Sequence, residues 1–399
     1  MINAAKQKLH GDVAIAEEIL SQTFQQPIRL EPGDTSGLHE RPYVHRLKVS
    51  QRSSAVPETV ILKQAAIRHD KDVYDPQASD GPASRLFNEW AGLQFLSEVC
   101  SDPLPAPYFY GSDRERGFIV MEDFGDGTRL DHALLGQDAA LAEKTVVALF
   151  QTIGRMHAQT AGQAARYLEI RTALGPAPQW ITNIGQIDEW DRQHMQVVLE
   201  TFGVQPQSGF YDELETVWHT VRTPGPFTAY IHSDACPDNC HWVADDLRLL
   251  DFERGHYGHA FNDGIYAHIP FPSCWCANRL PEGVAQKAEA VYRAELVKGC
   301  PEAGNDDLFY STLVSVCIHR IFDILFRHGL VEGEPFDQDQ KWGISTIGQR
   351  CLMWFGQVAT LAERFGYFPK IGVTARNMVE IFRALWPDVE DMPYYPAFR

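Results

Sequence analysis

The stretch Ile231-His232-Ser233-Asp234-Ala235-Cys236-Pro237-Asp238-Asn239, followed by Leu249-Leu250-Asp251-Phe252-Glu253, organises the chain. Phe227 to Ile231 reads as an apolar strand ending in a loop that carries His, Asp and Asn. A hydrophobic run, Cys240 to Ala244, follows; Asp245-Asp246 supplies a candidate two-residue turn, and Leu247 to Asp251 runs back. Counting from that turn, Ala244 faces Leu247 and Cys240 faces Asp251, so Asn239 and Asp251 become neighbours. An amide oxygen and a carboxylate are hard ligands suited to magnesium, which binds through one or two carboxylates plus substrate phosphates. Asp234, on the same loop, could take the proton of a hydroxyl nucleophile. A base, a metal and a separate clamp on a nucleotide are the parts phosphoryl transfer needs.

The spacing His-x-Asp-x4-Asn, with Asp-Phe-Glu twelve residues beyond the Asn, resembles the aminoglycoside phosphotransferase and choline kinase-like superfamily, a branch of the kinase-like fold. The usual loop there reads His-Gly-Asp-x-His-Pro-x-Asn. His232, Asp234, Pro237, Asn239 and Asp251 match; Ser233 stands for the Gly and Cys236 for the second His. The resemblance implies an α+β, bilobal protein-kinase-like fold, with an N-terminal antiparallel sheet plus one helix and a larger, mostly helical C-terminal lobe. It implies ATP or GTP as co-substrate, Mg2+, Asp234 as base, and Asn239 and Asp251 as metal ligands.

Working back toward the N-terminus, Thr59 to Ala65 reads as a strand carrying Lys63. Pro82 suits the first turn of a helix that runs to about Val99. Leu86, Leu93 and Leu96 mark its buried stripe, and Glu89 falls inside it. A buried glutamate is costly unless a cation meets it, and Lys63 is the natural candidate. The pair resembles the strand lysine and helix glutamate that hold the α- and β-phosphates in kinase-like folds. Upstream, a helix over residues 5 to 24 leads to a strand, Ile28 to Glu31, and a returning strand, Tyr43 to Val49. Between these strands, Gly33, Ser36 and Gly37 could lay backbone N–H groups over phosphates, although a plain hairpin turn reads the same way. Phe118 to Met121, apolar on both faces, is a buried strand. The stretch from Glu122 to Gly127 after it is the best boundary, and it resembles the hinge whose main chain bonds the purine, here near Glu122 and Phe124. The expected division is 1–122 as nucleotide-binding lobe, 123–127 as hinge and 128–399 as catalytic and substrate-binding lobe.

Beyond the hinge the chain reads as helices, with 171 to 182 as a loop and helices at Ala139 to Gln159, Asp188 to Thr201, Asp212 to Arg222, Pro281 to Lys298, Asp306 to Arg327, Lys341 to Arg364 and Thr374 to Leu385. Gly258 to Asp263 matches part of the family's segment whose Asp supports the catalytic loop, so Asp263 reads as a structural carboxylate, paired with loop backbone or with His232. His232 reads as a loop holder rather than a proton shuttle. Glu253 is either beside the metal or a turn cap. Ile269 to Cys276 could line the acceptor pocket or be a packed loop.

Over 399 residues, 35 Lys plus Arg against 53 Asp plus Glu give a formal charge of −18. That argues against a nucleic-acid surface. It would favour a cationic substrate if the acids line the cleft; the plainer reading is that they solvate the surface. No apolar run approaches a membrane span, and Met1 to His10 shows no secretory h-region, so a cytoplasmic protein without membrane partners is expected. Eight cysteines in a chain this large read as reduced thiols. His232, Cys236, Cys240 and His241 cluster, but their spacing matches no common closed zinc site. The expected partners are a nucleotide and a small hydroxyl-bearing molecule. The alternative is a nucleotide-binding pseudoenzyme acting through protein interaction, left open by Ser233 and Cys236. A protein kinase fits less well, because no Ala-Pro-Glu segment follows Asp251.

Overall fold

The computed structural model describes residues 2–34, 41–50, 53, 55–69, 71–183, 190–327 and 339–399. They form two compact units: Met1–Thr128 with Gly162–Thr182 and His241–Tyr257, and Arg129–Ala161 with Asn183–Cys240 and Gly258–Arg399.

The first unit is built on an antiparallel sheet. Its strands are β1 (Leu30–Pro32), β2 (Val44–Val49), β3 (Thr59–Gln64), β4 (Phe109–Asp113) and β5 (Phe118–Glu122), in the order β1-β2-β3-β5-β4. β3 is central, pairing Lys63 with Val44 on one side and with Ile119 on the other. Alternation in a strand sends neighbours to opposite faces. Val60 and Leu62 join Leu47, Val49, Phe118 and Val120 in a core closed by Ala16 and Leu20 of α1 (Ile2–Thr23). Lys63 therefore belongs to the other face. Helix α2 (Gly81–Val99) starts with Pro82 in its first turn, and Leu86, Glu89, Leu93 and Leu96 are all buried, as the stripe requires.

After α2 come α3 (Leu130–Leu135), α4 (Ala139–Thr160), α5 (Ala164–Leu174), α6 (Gln179–Thr182), α7 (Trp190–Thr201) and α8 (Phe210–Arg222), then strand β6 (Thr228–Ile231). The expected loop over 171 to 182 is corrected: its start is the last turn of α5 and its end is α6. Arg171 is what turns the start inward. Its buried guanidinium donates to Asn88 Oδ1 at 2.6 Å, which anchors α5 on α2.

The hairpin of β7 (Cys240–Val243) and β8 (Asp246–Leu249) forms, but its turn is Ala244-Asp245, one residue earlier than expected. Ala244 adopts a left-handed φ of 53°, and the Asp246 carboxylate accepts from the Leu247 N–H within the strand. β8 ends at Leu249, so Asp251 lies past the paired strand rather than opposite Cys240.

The second unit is helical. Its α4 packs on α10 (Glu282–Leu296) after the one-turn α9 (Phe261–Gly264). Then come α11 (Asp306–Arg327), α12 (Ile347–Phe365) and α13 (Pro369–Leu385). The helix expected from Lys341 begins later, because Lys341–Trp342 and Ser345–Thr346 pair as short strands and Thr346 closes a capping box with Gln349. One expectation about membranes also needs correction: Asp306–Leu325 is long and apolar enough to cross one by length and composition. Of its 18-residue apolar window 72% is buried inside the fold, as a core helix would be.

Candidate active site

In the first unit, β3 and α2 bring Lys63 and Glu89 together. The lysine Nζ is 2.6 Å from Glu89 Oε2 and 2.8 Å from Asp251 Oδ1. Lys63 is 7% exposed and Glu89 2%, so the pair interacts away from bulk water. Burial alone would push the ammonium down, but the charges of Asp251 and Glu89 outweigh it and hold it above its ordinary value. Glu89 goes up, to about 7: burial and the Asp251 charge together exceed the pull of the lysine.

Asp251 sits at a left-handed φ of 67°, a conformation Asp tolerates better than most residues, and Arg41 reaches its other oxygen at 3.3 Å. The turn behind it is fixed by Asn88, whose amide donates to the Glu253 carbonyl at 3.1 Å. The Glu253 side chain pairs with Arg68 at 2.8 Å.

Gly33 donates its N–H to the Arg46 carbonyl at 2.9 Å, and a Cβ there would stand 3.0 Å from that oxygen. Ser36 and Gly37 lie outside the described residues. Glu122 accepts from Arg248 at 2.7 Å and from the Tyr108 N–H at 3.0 Å, while the Phe124 ring lies 4.6 Å from the Arg248 guanidinium.

Besides Arg41 and Arg68, two buried arginines escaped the sequence reading. Arg248, buried on β8, fastens Glu122. Arg46, buried on β2, meets Asp123 at 2.7 Å and Asp126 at 2.9 Å. The signal available for Arg248 was a lone cation inside Leu247-Arg248-Leu249-Leu250, where a buried charge implies a buried partner.

In the second unit the loop after β6 is fixed by its own backbone. Asp263 Oδ2 accepts the His232 N–H at 2.7 Å and Oδ1 accepts that of Ser233 at 3.0 Å. Burial alone would raise the Asp263 carboxyl. The His157 ring, 3.4 Å away, the nearby His232 ring and the His232 N–H outweigh burial and hold it below its ordinary value. His232 Nδ1 accepts the Asp234 N–H at 3.2 Å, which assigns the ring proton to Nε2. The Asp234 carbonyl takes the Asn239 amide at 3.0 Å and the Cys236 N–H at 2.8 Å. Ser233 occupies φ 65°, a left-handed conformation that costs a side chain about 1 kcal/mol and suits glycine.

The thiol expectation is corrected for two cysteines. Cys236 and Cys274 are joined as a disulfide with Cα atoms 5.9 Å apart. Among the described residues no cluster of three His, Cys, Asp or Glu is placed to hold a metal. The donors proposed for magnesium nonetheless suit it in kind. Asn239 spends its amide N–H on Asp234, which leaves its oxygen for a cation, and Asp251 brings a carboxylate.

Residues 49–295 match the sequence profile of the APH phosphotransferase enzyme family. The chain belongs to that family. The kinase-like fold expected from the sequence is the one observed: a five-stranded N-terminal antiparallel sheet and a larger helical part. Among solved structures, the phosphotransferase is similar to choline kinase from Cryptosporidium parvum Iowa II, with 12% identity, 90% of each chain covered and a TM-score of 0.40. It is similar to choline kinase LicA from Streptococcus pneumoniae, with 11% identity, 87% of this chain and 98% of that one covered and a TM-score of 0.41. Macrolide 2'-phosphotransferase MphH from Brachybacterium faecium gives 13% identity, 80% and 94% coverage and a TM-score of 0.41. No curated protein matches the chain.

Proposed function

We propose that this phosphotransferase is a small-molecule kinase that moves the γ-phosphoryl group of ATP, or GTP, to a hydroxyl of a metabolite or antibiotic. The observation that carries the reading is the buried Lys63 ammonium, shared between Glu89 and Asp251. The ammonium meets three carboxylate oxygens, Glu89 Oε1 at 2.8 Å, Glu89 Oε2 at 2.6 Å and Asp251 Oδ1 at 2.8 Å, so a phosphate oxygen would take the place of one of them. The main chain near Glu122 and Phe124 holds the purine, and Gly33, whose N–H is given to the Arg46 carbonyl, contributes room rather than a donor to the phosphate loop proposed with Ser36 and Gly37. Residues 1–122 then serve as the nucleotide lobe, 123–127 as hinge and 128–399 as the lobe for catalysis and acceptor.

Asn239 and Asp251 would hold Mg2+, which when bound neutralises charge on the β- and γ-phosphates. Asp234 orients the acceptor hydroxyl and takes its proton as the oxygen bonds to phosphorus and the bond to the β-phosphate oxygen breaks, leaving ADP. Its carbonyl and N–H are both tied down, so the carboxylate works from a fixed backbone. The net charge of −18 would favour a cationic acceptor if the acids line the cleft.

The test is transfer from magnesium–ATP to a panel of hydroxyl-bearing metabolites and antibiotics, read by mass spectrometry. Asp234→Asn is expected to slow transfer by about 10²–10⁴-fold, the usual worth of a positioned base, while nucleotide affinity is kept. Nucleotide binding without transfer to any acceptor would overturn the reading in favour of a protein-interaction role.

A further inference from the structure

Cys236 stands two residues after Asp234, on the same turn, and its sulfur lies 3.5 Å from Asp234 Oδ1. Its partner Cys274 belongs to the 269–276 loop. That loop has its own supports: the buried Arg350 donates to the carbonyls of Pro272 and Cys274 at 2.7 and 2.8 Å, and Ile344 N–H donates to the Trp275 carbonyl. A hydrogen bond from Trp275 Nε1 to Asp238 Oδ2 at 3.4 Å also joins the loops.

Of the pair, Cys236 is half-buried and Cys274 is buried. Cys240 lies four residues from Cys236 and Cys276 two from Cys274, yet both are buried thiols. Burial pushes Cys276 up to about 12. Cys300, Cys317 and Cys351 are buried too, and Cys100, half-buried like Cys236, belongs to neither loop. Cys236 is only half-buried, so it can be reached by an exchanging thiol, and attack on a disulfide requires access as well as thiolate.

We propose that Cys236 and Cys274 are a reversible thiol–disulfide site that fastens the Asp234 loop to the 269–276 loop when oxidised and returns a proton-bearing thiol beside the Asp234 carboxylate when reduced. With a small-molecule disulfide RSSR as oxidant, such as oxidised glutathione, the two protein thiols give up two electrons and two protons. One protein S–S bond forms, the RSSR bond breaks, and two RSH are released. In the oxidised chain the Cys236 sulfur has no proton to offer Asp234. In the reduced chain its S–H competes with the acceptor hydroxyl for the same oxygen, so the oxidised form is the faster one. This second half rests on Asp234 being the base.

The experiment equilibrates the full chain across a series of reduced-to-oxidised glutathione ratios, quenches exchange with acid, alkylates in denaturant so that the buried thiols are reached, and maps the peptides. Eight alkylated cysteines at the reducing end should become six at the oxidising end, with the peptides of Cys236 and Cys274 linked and fully released by dithiothreitol. Thermal melting of the oxidised protein should rise by several degrees over the reduced protein, and Cys274→Ser should melt alike in both. Alkylation of Cys236 and Cys274 at every ratio, or linkage through Cys240 or Cys276 instead, overturns the site.

Transfer rates are then compared between the two forms. A several-fold faster oxidised form supports the coupling to Asp234, and equal rates overturn it. Absence of turnover in both forms counts against Asp234 as base and against the coupling, whereas the peptide map judges the disulfide by itself.

Discussion

Glu89 and Asp263 are both carboxylates sealed from solvent, one in each unit, and the protein holds them by opposite means. Glu89 has a cation: its stability depends on one lysine that also serves Asp251. Asp263 accepts two backbone N–H bonds, from His232 and Ser233. The consequence is visible in their titration. Burial and a second nearby carboxylate push Glu89 up to about 7, while hydrogen bonds and neighbouring imidazoles bring Asp263 below its ordinary range in spite of burial. A carboxylate held by a shared charge can respond when a phosphate arrives; one held by main chain is suited to fixing a loop.

The largest expected effect breaks the charge-held side. Lys63→Met leaves Glu89 and Asp251 without their common cation, and removing one partner of a buried pair costs about 3–5 kcal/mol. Urea unfolding of the variant should show that loss at alkaline pH, with recovery as the pH is lowered, and the recovery should come above the wild-type Glu89 value of about 7 because the lysine no longer pulls the carboxyl down. A loss under about 1 kcal/mol would mean that the pair behaves as a surface contact.

Asp263→Asn probes the other side. The amide keeps one acceptor oxygen and turns an NH₂ toward a backbone N–H, so one buried donor loses its partner. The expected cost is about 1–3 kcal/mol. The same variant should loosen the Asp234 loop, measurable as faster amide exchange at His232 and Ser233, with β3 unaffected.

How much of this contrast could be read in the sequence differs between the two sides. Glu89 was legible because helical periodicity placed a charge among Leu86, Leu93 and Leu96, and a buried charge demands a partner. The central strand and the long helices were legible for the same reason: period 2 and period 3.6 show through the residue types. Asp263 was legible only as a motif, and its true partners, two main-chain N–H groups, leave no mark on side-chain pattern. The same holds for Arg46 and Arg248, whose acidic partners are remote in sequence. The turn at Ala244-Asp245 was missed because a left-handed alanine is not a turn signal. The bond from Cys236 to Cys274 depends on a 38-residue separation closing in space, which spacing alone does not indicate.

Titration sharpens the comparison through slopes of opposite sign. Glu89 is raised from 4.5 to about 7, so the stability it contributes is complete below 4.5 and is lost as pH rises through about 7. The difference in unfolding free energy between the wild type and Glu89→Gln should therefore fall with rising pH across that window, by up to about 1.4 kcal/mol per unit. Asp263 is lowered from 3.8, so its contribution is present above that value and is lost as pH falls below it. The difference from Asp263→Asn should rise with pH in the acid range and be flat above it. Slopes of the same sign for both carboxylates would dissolve the distinction.

The smallest effect asks what holds Asp263 down. His157 is fully buried between the Tyr292 hydroxyl at 3.2 Å and Asp263 at 3.4 Å, whereas the His232 N–H approaches the same carboxylate at 2.7 Å. Hydrogen bonds weaken toward 3.5 Å, so the backbone contact should dominate the fixing of this loop. His157→Gln keeps a polar group in place and should cost about 1 kcal/mol, less than Asp263→Asn, with slow amide exchange retained at His232 and Ser233. If His157→Gln instead frees those two amides as Asp263→Asn does, then the imidazole holds the carboxylate in place. Asp263 would then depend on a single titratable neighbour, as Glu89 does, and the loop carrying Asp234 would inherit a pH dependence that main-chain bonding denies it.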